Sequence, residues 1–569
     1  MEDLKVHSRN FMPYEMGKGV FTPEDFMDEE DLISKTTEMF VKQEIAPQLE
    51  SIEKHDYKVA CQLFEKAGEL GLLGIEVPES YGGLSLNKKL SGLVAEKMGY
   101  GGSFSVSFNI HVGVGTLPYI YFGTEEQKQK YLPKLAAGEW IGAYALTEPG
   151  AGSDALNART SAIWKDEESA WVLNGEKQWI TNAHVANVYV VFAKTKEGMT
   201  AFIVERSFDG VSIGLEEKKM GIKGSSTATL ILEDVSVPKE NVLGDVGKGH
   251  RIALNILNMA RLKLAFSNIG SAKQSLELTT QYSKERKQFN RSLLDFTMIQ
   301  EKIANMAVSI YGAESAAYRT AGFLDDAMED RDENNDSNGK NSGYAMECAM
   351  NKVYSSEVLD NIVDEAVQIH GGYGYMEEYQ VERLYRDARI SRIFEGTNEI
   401  NRLTISKILI KKFNSSQVTT MDTANEIHKD KNRQYIQLSK HLLTRSLKAL
   451  TETCLKMEDE QEYMRLLADM VSDLYVMESS FLRTEKAIEK NGRDQEQMKV
   501  NVTDVLCEEG YRRVENAALS IISGGVSDDH DRERWIHEIR HLEVPLYENL
   551  FVKKRAIAKH ITSRTRYMI

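Results

Sequence analysis

The chain has 569 residues, 42% hydrophobic and 27% charged, with a formal net charge of −16. That length fits three or four domains of about 150 residues each, and the acidic balance argues against nonspecific nucleic-acid binding. Cys61, Cys348, Cys454 and Cys507 lie far apart with no C-x-x-C pair, which fits reduced thiols and argues against a disulfide framework or a metal site. The N-terminus lacks a basic-then-apolar leader, and no run reaches the roughly 18 apolar residues of a membrane span, so a cytoplasmic protein is expected.

After a polar arm (1–24), residues 25–142 read as a helical domain. Thr22-Pro23-Glu24-Asp25 is a helix-start signal, with a capping hydroxyl, proline in the first turn and acids at the positive helix end. Leu32, Ile33, Thr36, Phe40 and Val41 follow at helical spacing, and Pro47 closes the run. Further helices are predicted over 58–70, 87–98 and 104–122, and Thr124-Glu125-Glu126-Gln127 is a capping box opening another.

From 143 to 248 the period becomes two. Val188 to Phe192 and Ala201 to Val204 are β-branched and aromatic runs joined across Lys196-Glu197-Gly198, a hairpin signal. Asn174-Gly175 reads as a second turn, and Thr227 to Leu232 alternates as a strand does. Short strands at this spacing predict a small β-barrel or sandwich between helical domains.

Helices return over 249–412, with one long helix predicted near 251–282. Asp325 to Ser342 is acidic, Asn-rich and nearly free of apolar residues, and reads as a loop. Residues 413–432 form a polar linker. Over 433–569, Ile436, Leu438, Leu442, Leu443, Leu447 and Leu450, then Tyr463, Leu466, Leu467, Met470, Leu474 and Met477, recur at helical spacing. A third helix is predicted near 502–521. The end carries Lys553, Lys554, Arg555, Lys559, Arg564 and Arg566 with no acids after Val552. Such a tail suits an anionic membrane surface or a plain solvated helix end.

Within Ile393-Phe394-Glu395-Gly396-Thr397-Asn398-Glu399-Ile400-Asn401-Arg402 a carboxylate stands beside apolar residues, then glycine lets the backbone approach a ligand. Desolvation there raises a carboxyl pKa towards that of a general base. This segment resembles the one bearing the catalytic base of acyl-CoA dehydrogenases. Tyr144-Ala145-Leu146-Thr147-Glu148-Pro149-Gly150-Ala151-Gly152-Ser153-Asp154, Lys177-Gln178-Trp179-Ile180-Thr181-Asn182-Ala183, Glu285-Arg286-Lys287-Gln288-Phe289 and Ala366 to Tyr375 resemble further family segments in the same order. The likeness covers roughly residues 25–412.

The resemblance implies the family fold: an N-terminal helical domain, a middle β-barrel and a four-helix bundle, followed here by an extra C-terminal helical domain. By placement and helicity, that last domain resembles the one of very-long-chain members. It implies FAD as cofactor, held by Tyr144, Leu146, Thr147, Ser153, Trp179, Ile180 and Thr181. Across a homodimer or homotetramer interface, Arg286, Gln288, Phe289, Gln368, Gly371 and Gly372 serve its pyrophosphate and adenosine side. Thr397 and Glu399 join the cofactor set. Arginine suits pyrophosphate because its planar fork makes paired, charge-assisted hydrogen bonds. His370 reads as structural.

Acyl-CoA substrate is assigned to Ser153, Asn258, Arg261, Phe394 and Gly396. Ala260 stands where some branches carry the base, which leaves Glu395. The implied reaction is α,β-dehydrogenation of an acyl-CoA to the trans-2-enoyl-CoA, the first step of β-oxidation. The backbone N–H of the base and a flavin ribityl hydroxyl polarise the thioester oxygen, and electrons leave to an electron-transferring flavoprotein. Val106 and Ile110 stand where some relatives place polar residues that cap a shorter pocket, which favours long chains. An acyl-CoA oxidase using oxygen, or a scaffold of low activity, would share this fold.

Overall fold

The computed structural model describes residues 19–332, 343–415, 430–452, 459–564, 567 and 569. Thr22 caps a single 3-10 turn, Pro23–Asp25, before the first helix. Seven helices make the N-terminal domain: α1 (Asp28–Phe40), α2 (Leu49–Glu53), α3 (Tyr57–Glu69), α4 (Lys88–Met98), α5 (Ser103–Val112), α6 (Leu117–Phe122) and α7 (Glu125–Ala137). The single helix expected over 104–122 is two, α5 and α6. Gly113 and Gly115 interrupt it, and Pro118 starts the second piece as a first-turn proline. The Thr124 capping box forms as read, its hydroxyl accepting from Gln127 N at 3.3 Å.

The middle domain holds β1 (Gly142–Ala145), β2 (Ser161–Lys165), β3 (Ala170–Thr181), β4 (Val188–Thr195), β5 (Gly198–Glu205), β6 (Val211–Ile213), β7 (Thr227–Pro238) and β8 (Val242–Leu243). They form one eight-stranded sheet in the order β6-β7-β3-β2-β4-β5-β8, with β1 paired parallel to β4. In this pairing β6 and β8 end the path, so the expected barrel is built as a sheet whose hydrogen bonding does not run back from β8 to β6. The β4–β5 hairpin is as read. Asn174-Gly175 makes no turn. It lies inside β3 at a register shift against β7, where Gly175 (φ +147°) passes so close to Thr160 that a Cβ would collide with it. A turn dipeptide has been used as a bulge.

Strand alternation ties this sheet to the helices. Val188, Val190 and Phe192 face the large helical core, while Tyr189, Val191 and Ala193 fill the interior of the sheet domain. Both faces of β4 are therefore buried, as its unbroken apolar run requires.

The third domain packs α8 (Gly249–Glu285), α9 (Thr297–Asp332), α10 (Ala345–His370), α11 (Gln380–Ala388) and α12 (Asn398–Ser415), with a short hairpin β9–β10 (Lys287–Gln288 and Arg291–Ser292) after α8. α9 continues to Asp332, into the acidic run expected to be loop; residues 333–342 lie outside the described residues. The C-terminal domain is α13 (Lys431–Glu452), α14 (Gln461–Asn491), α15 (Gln497–Gly525), α16 (Asp529–Arg540) and α17 (Leu550–Ser563). Most of the expected linker, 416–429, is outside the described residues.

Buried ion pairs join this last domain to the rest. Arg319 of α9 meets Glu478 of α14 at 2.8 Å, and Arg483 meets Glu314 at 2.6 Å and Glu24 of the N-terminal turn at 2.7 Å. In the tail, Lys553 pairs with Asp504 and Glu548, and the buried Lys554 reaches Glu509 at 2.6 Å. Two of the basic residues of the tail therefore belong to the fold, and Arg566 is outside the described residues. Cys61, Cys348 and Cys507 are free thiols, and Cys454 is not among the described residues. No helix among the described residues is long and apolar enough to cross a membrane.

Candidate active site

Between α11 and α12 the chain makes a 3-10 turn, Arg389–Arg392, and then two left-handed residues in succession, Glu395 (φ +55°) and Gly396 (φ +81°). Glycine takes this conformation freely, whereas a glutamate there costs about 1 kcal/mol or more. Surrounding donors hold it. Arg261 of α8 donates from Nε to the Glu395 carbonyl at 3.2 Å, and Asn401 donates to the carbonyls of Gly396 (2.8 Å) and Thr397 (3.0 Å). Lys352 of α10, fully buried, donates to the Gly396 carbonyl at 2.8 Å and to Asn398 Oδ1 at 2.7 Å. Thr397 accepts from Ile400 N at 3.2 Å at the start of α12, and Glu399 is exposed.

Glu395 is raised from the ordinary carboxylate range. Burial is the largest cause, and Arg261 and then Lys352 oppose it. Arg261 is itself buried, and its guanidinium is oriented by Asn258 Oδ1, which accepts from Nη1 at 3.0 Å. Asn258 thus sits behind Arg261 as its orienting partner. Burial pulls Lys352 down to about 7, against the attraction of Glu395. A carboxyl raised by burial, with Arg261 and Lys352 opposing the shift, is suited to take a proton from carbon.

Tyr144, on β1, is held well above its usual range by burial and then by the charge of Glu395, so the phenol and the carboxylate share one electrostatic environment. Its hydroxyl is buried without a hydrogen-bond partner among the described residues. The loop leaving β1 is fastened to the end of β3. Gln178 N donates to Thr147 O at 2.9 Å, and buried Lys177 reaches Glu148 at 2.6 Å. Glu148 also accepts from Thr160 N at 3.0 Å. The strand end carries Trp179 (φ +58°, 57% exposed), Ile180 (buried) and Thr181 (half-buried) at a second register shift. Leu146 is buried, Thr147 and Phe394 are half-buried, and Ser153 is exposed.

Arg286, Gln288, Gly371 and Gly372 meet in a separate cleft of about 400 Å³ with Tyr282 and Tyr373. Arg286 lies over the Tyr373 ring at 5.4 Å. Phe289, 87% exposed, and Gln368, also exposed, are not among the residues lining this cleft. His370 also lines this cleft, stacked on Tyr282 at 4.1 Å with Nδ1 at 2.7 Å from the Ala366 carbonyl.

Sequence reasoning missed Lys352, Asn398 and Asn401 as parts of this site. Asn401 lay in view inside the segment carrying Glu395, and its amide is what ties the turn to the first turn of α12.

Four family models match the chain. The acyl-CoA dehydrogenase N-terminal domain matches residues 27–139, the middle domain 143–235, and two C-terminal domain models match 247–410 and 437–537. A probable acyl-CoA dehydrogenase of Bacillus subtilis (strain 168) is 46% identical over 573 residues, covering 97% of this chain and 96% of that protein. The mitochondrial very long-chain specific acyl-CoA dehydrogenase of Rattus norvegicus is 38% identical over 410 residues, covering 69% of this chain and 61% of that one. A crystal structure of an acyl-CoA dehydrogenase complexed with FAD from Bacillus anthracis superposes with a TM-score of 0.94 at 46% identity, covering 98% of this chain and 99% of that chain.

Proposed function

The chain belongs to the acyl-CoA dehydrogenase family, and from that premise we propose that it is an FAD-dependent enzyme oxidising a fatty acyl-CoA to the trans-2-enoyl-CoA, with Glu395 as the base. The observation that carries this reading is the Glu395 carboxyl, raised by burial, on a clamped left-handed turn between Arg261 and Lys352.

The residues present suit a flavin nucleotide. Tyr144 offers a buried hydroxyl with no hydrogen-bond partner among the described residues, and Trp179 offers an exposed ring beside Thr181. At Gly150, Gly152, Gly371 and Gly372 an added Cβ would meet nothing, so the backbone there is open to a ligand. Arg286 supplies the fork a pyrophosphate takes. Tyr144, Leu146, Thr147, Ser153 and Trp179 to Thr181 would hold the ring side. Arg286, Gln288, Phe289, Gln368, Gly371 and Gly372 would serve the nucleotide side, across the interface of a homodimer or homotetramer, and Thr397 and Glu399 complete the set. When bound, the flavin supplies the acceptor for hydride leaving the β-carbon.

The chain's own part is proton removal and electrostatics. Glu395 takes the α-proton and is neutralised. Phe394 and Gly396 line the substrate beside it, and Ser153 meets the coenzyme A portion. The backbone N–H of Glu395 polarises the thioester carbonyl as charge develops on it, and the Arg261 bond to the Glu395 carbonyl holds the peptide that follows. Excluding water strengthens both effects.

We further assign long acyl chains, β-oxidation and an electron-transferring flavoprotein as acceptor. Val106 and Ile110 are apolar and half-buried, which supports the first. A cytoplasmic enzyme touching membranes peripherally is consistent with exposed Phe551 and Val552 beside Arg555 and Lys559 on α17. Anaerobic titration with palmitoyl-CoA and octanoyl-CoA tests substrate and chain length together: bleaching of the flavin by the former at lower concentration supports the assignment, and bleaching by neither overturns it.

A further inference from the structure

We propose that Lys352 is a positioning residue for Glu395: its ammonium fixes the left-handed Glu395–Gly396 turn through the Gly396 carbonyl and the Asn398 side chain, and its charge favours the ionised carboxylate. The proposal rests on Glu395 being the base, as argued above.

The geometry leaves few alternatives for the ammonium. The Gly396 carbonyl accepts from Asn401 at 2.8 Å and from Lys352 at 2.8 Å, which engages both of its lone pairs. The Asn398 amide is oriented by its own donors, which reach Ser356 Oγ at 3.0 Å and Glu357 Oε1 at 3.1 Å. Its Oδ1 is thereby turned towards Lys352. Removing the ammonium would leave Asn398 Oδ1 with the Ser356 hydroxyl, at 3.3 Å, as a donor, and would take one of the two donors from the Gly396 carbonyl.

The charges facing Lys352 come from every side. Glu395 stands on the turn, Arg261 on α8, Glu399 on α12 and Glu357 on its own helix, and the Glu395 attraction is the largest of these. Because Lys352 is fully buried, little solvent screens that attraction. The ammonium is thus sensitive to the charge of Glu395, and by reciprocity Glu395 is sensitive to it. When Glu395 accepts the α-proton the pair loses one negative charge, so Lys352 favours the state before proton transfer and its bonds keep the turn in place throughout.

Lys352→Met and Lys352→Arg test this. The Met variant is expected to retain FAD and lose about tenfold or more in kcat, with KM nearly unchanged. The acid limb of its pH–rate profile should move to higher pH by about one unit, since a cation that favoured the carboxylate is gone. The Arg variant should restore the limb. A Met variant with a wild-type limb overturns the electrostatic half of the proposal, and one with wild-type kcat overturns the positional half.

A second measurement needs neither turnover nor a folded Met variant. Lysine Cε NMR signals, with Lys352 assigned through Lys352→Arg, are titrated in the wild-type holoenzyme and in Glu395→Gln. A Lys352 midpoint lower by about one pH unit in Glu395→Gln is expected, and equal midpoints overturn the coupling. If wild type reduces no acyl-CoA, the dehydrogenase reading falls while this comparison still decides whether the two groups are coupled.

Discussion

His111 gives the helical domain an acid limit. It is fully buried at the junction of α5, α7 and β1, with Nε2 at 3.0 Å from the Leu135 carbonyl and Nδ1 accepting from Gly142 N at 3.0 Å. Both contacts are met by one neutral tautomer, the one protonated at Nε2. Burial is the main cause that pulls its pKa from 6.5 down to about 4. The folded pKa is depressed, so between these values the unfolded chain binds more protons, and stability is lost as pH falls through that window. Across the whole window the loss is about 3 kcal/mol, of which about 2 kcal/mol is reached by about pH 5. Other groups also titrate there, so the comparison is with His111→Gln. Hydrogen-exchange mass spectrometry on peptides spanning α5 and β1 reads local opening energies. The advantage of wild type over the variant at about pH 7 should shrink by about 2 kcal/mol at about pH 5. An advantage independent of pH would refute the buried neutral histidine. Because β1 carries Tyr144 and leads directly to Thr147, flavin retention should weaken over the same window.

Gly396→Ala places a Cβ 3.2 Å from Asn401 Nδ2 and 3.3 Å from Arg261 Nη2, at φ +81°. A strain of about 1–3 kcal/mol should reduce kcat at least tenfold with FAD retained, read by steady-state assay; unchanged turnover would show that the turn is not critical. Lys177→Met leaves the Glu148 carboxylate buried without its cation, a change of about 3–5 kcal/mol. It should lower thermal stability and release FAD on dilution, measured by flavin fluorescence. Arg555→Glu with Lys559→Glu should abolish sedimentation with anionic liposomes while leaving the melting temperature unchanged; equal sedimentation would count against α17 as a membrane contact.

Glu395 was legible because its environment is local: the apolar pair before it and the glycine after it are adjacent in sequence, and Gly396 takes the positive φ its type allows. Arg261 was legible only through family resemblance, since a single arginine in a helix says nothing of where it points. Lys352 was not legible at all. It lies 44 residues before the Gly396 carbonyl it holds, in a helix where nothing in the spacing distinguishes a buried lysine from a solvated one. The helices and the β4–β5 hairpin followed from periodicity. Asn174-Gly175 misled because a dipeptide suited to a turn also suits a bulge, and only pairing with β7 decides between them. The acidic run after Asp325 was read as loop from composition, yet α9 carries its backbone on to Asp332; Asp325 itself is buried, accepting from Lys88 N at 2.7 Å. A carboxylate with such a partner looks no different in sequence from a solvated one.

The central claim is that Glu395 removes the α-proton. Mixing the purified flavoprotein anaerobically with palmitoyl-CoA, for wild type and for Glu395→Gln, tests it most directly. Wild type is expected to bleach and the variant to bind substrate without bleaching. Equal bleaching in both would contradict Glu395 as the base, and tight FAD without bleaching in wild type would contradict the dehydrogenase itself.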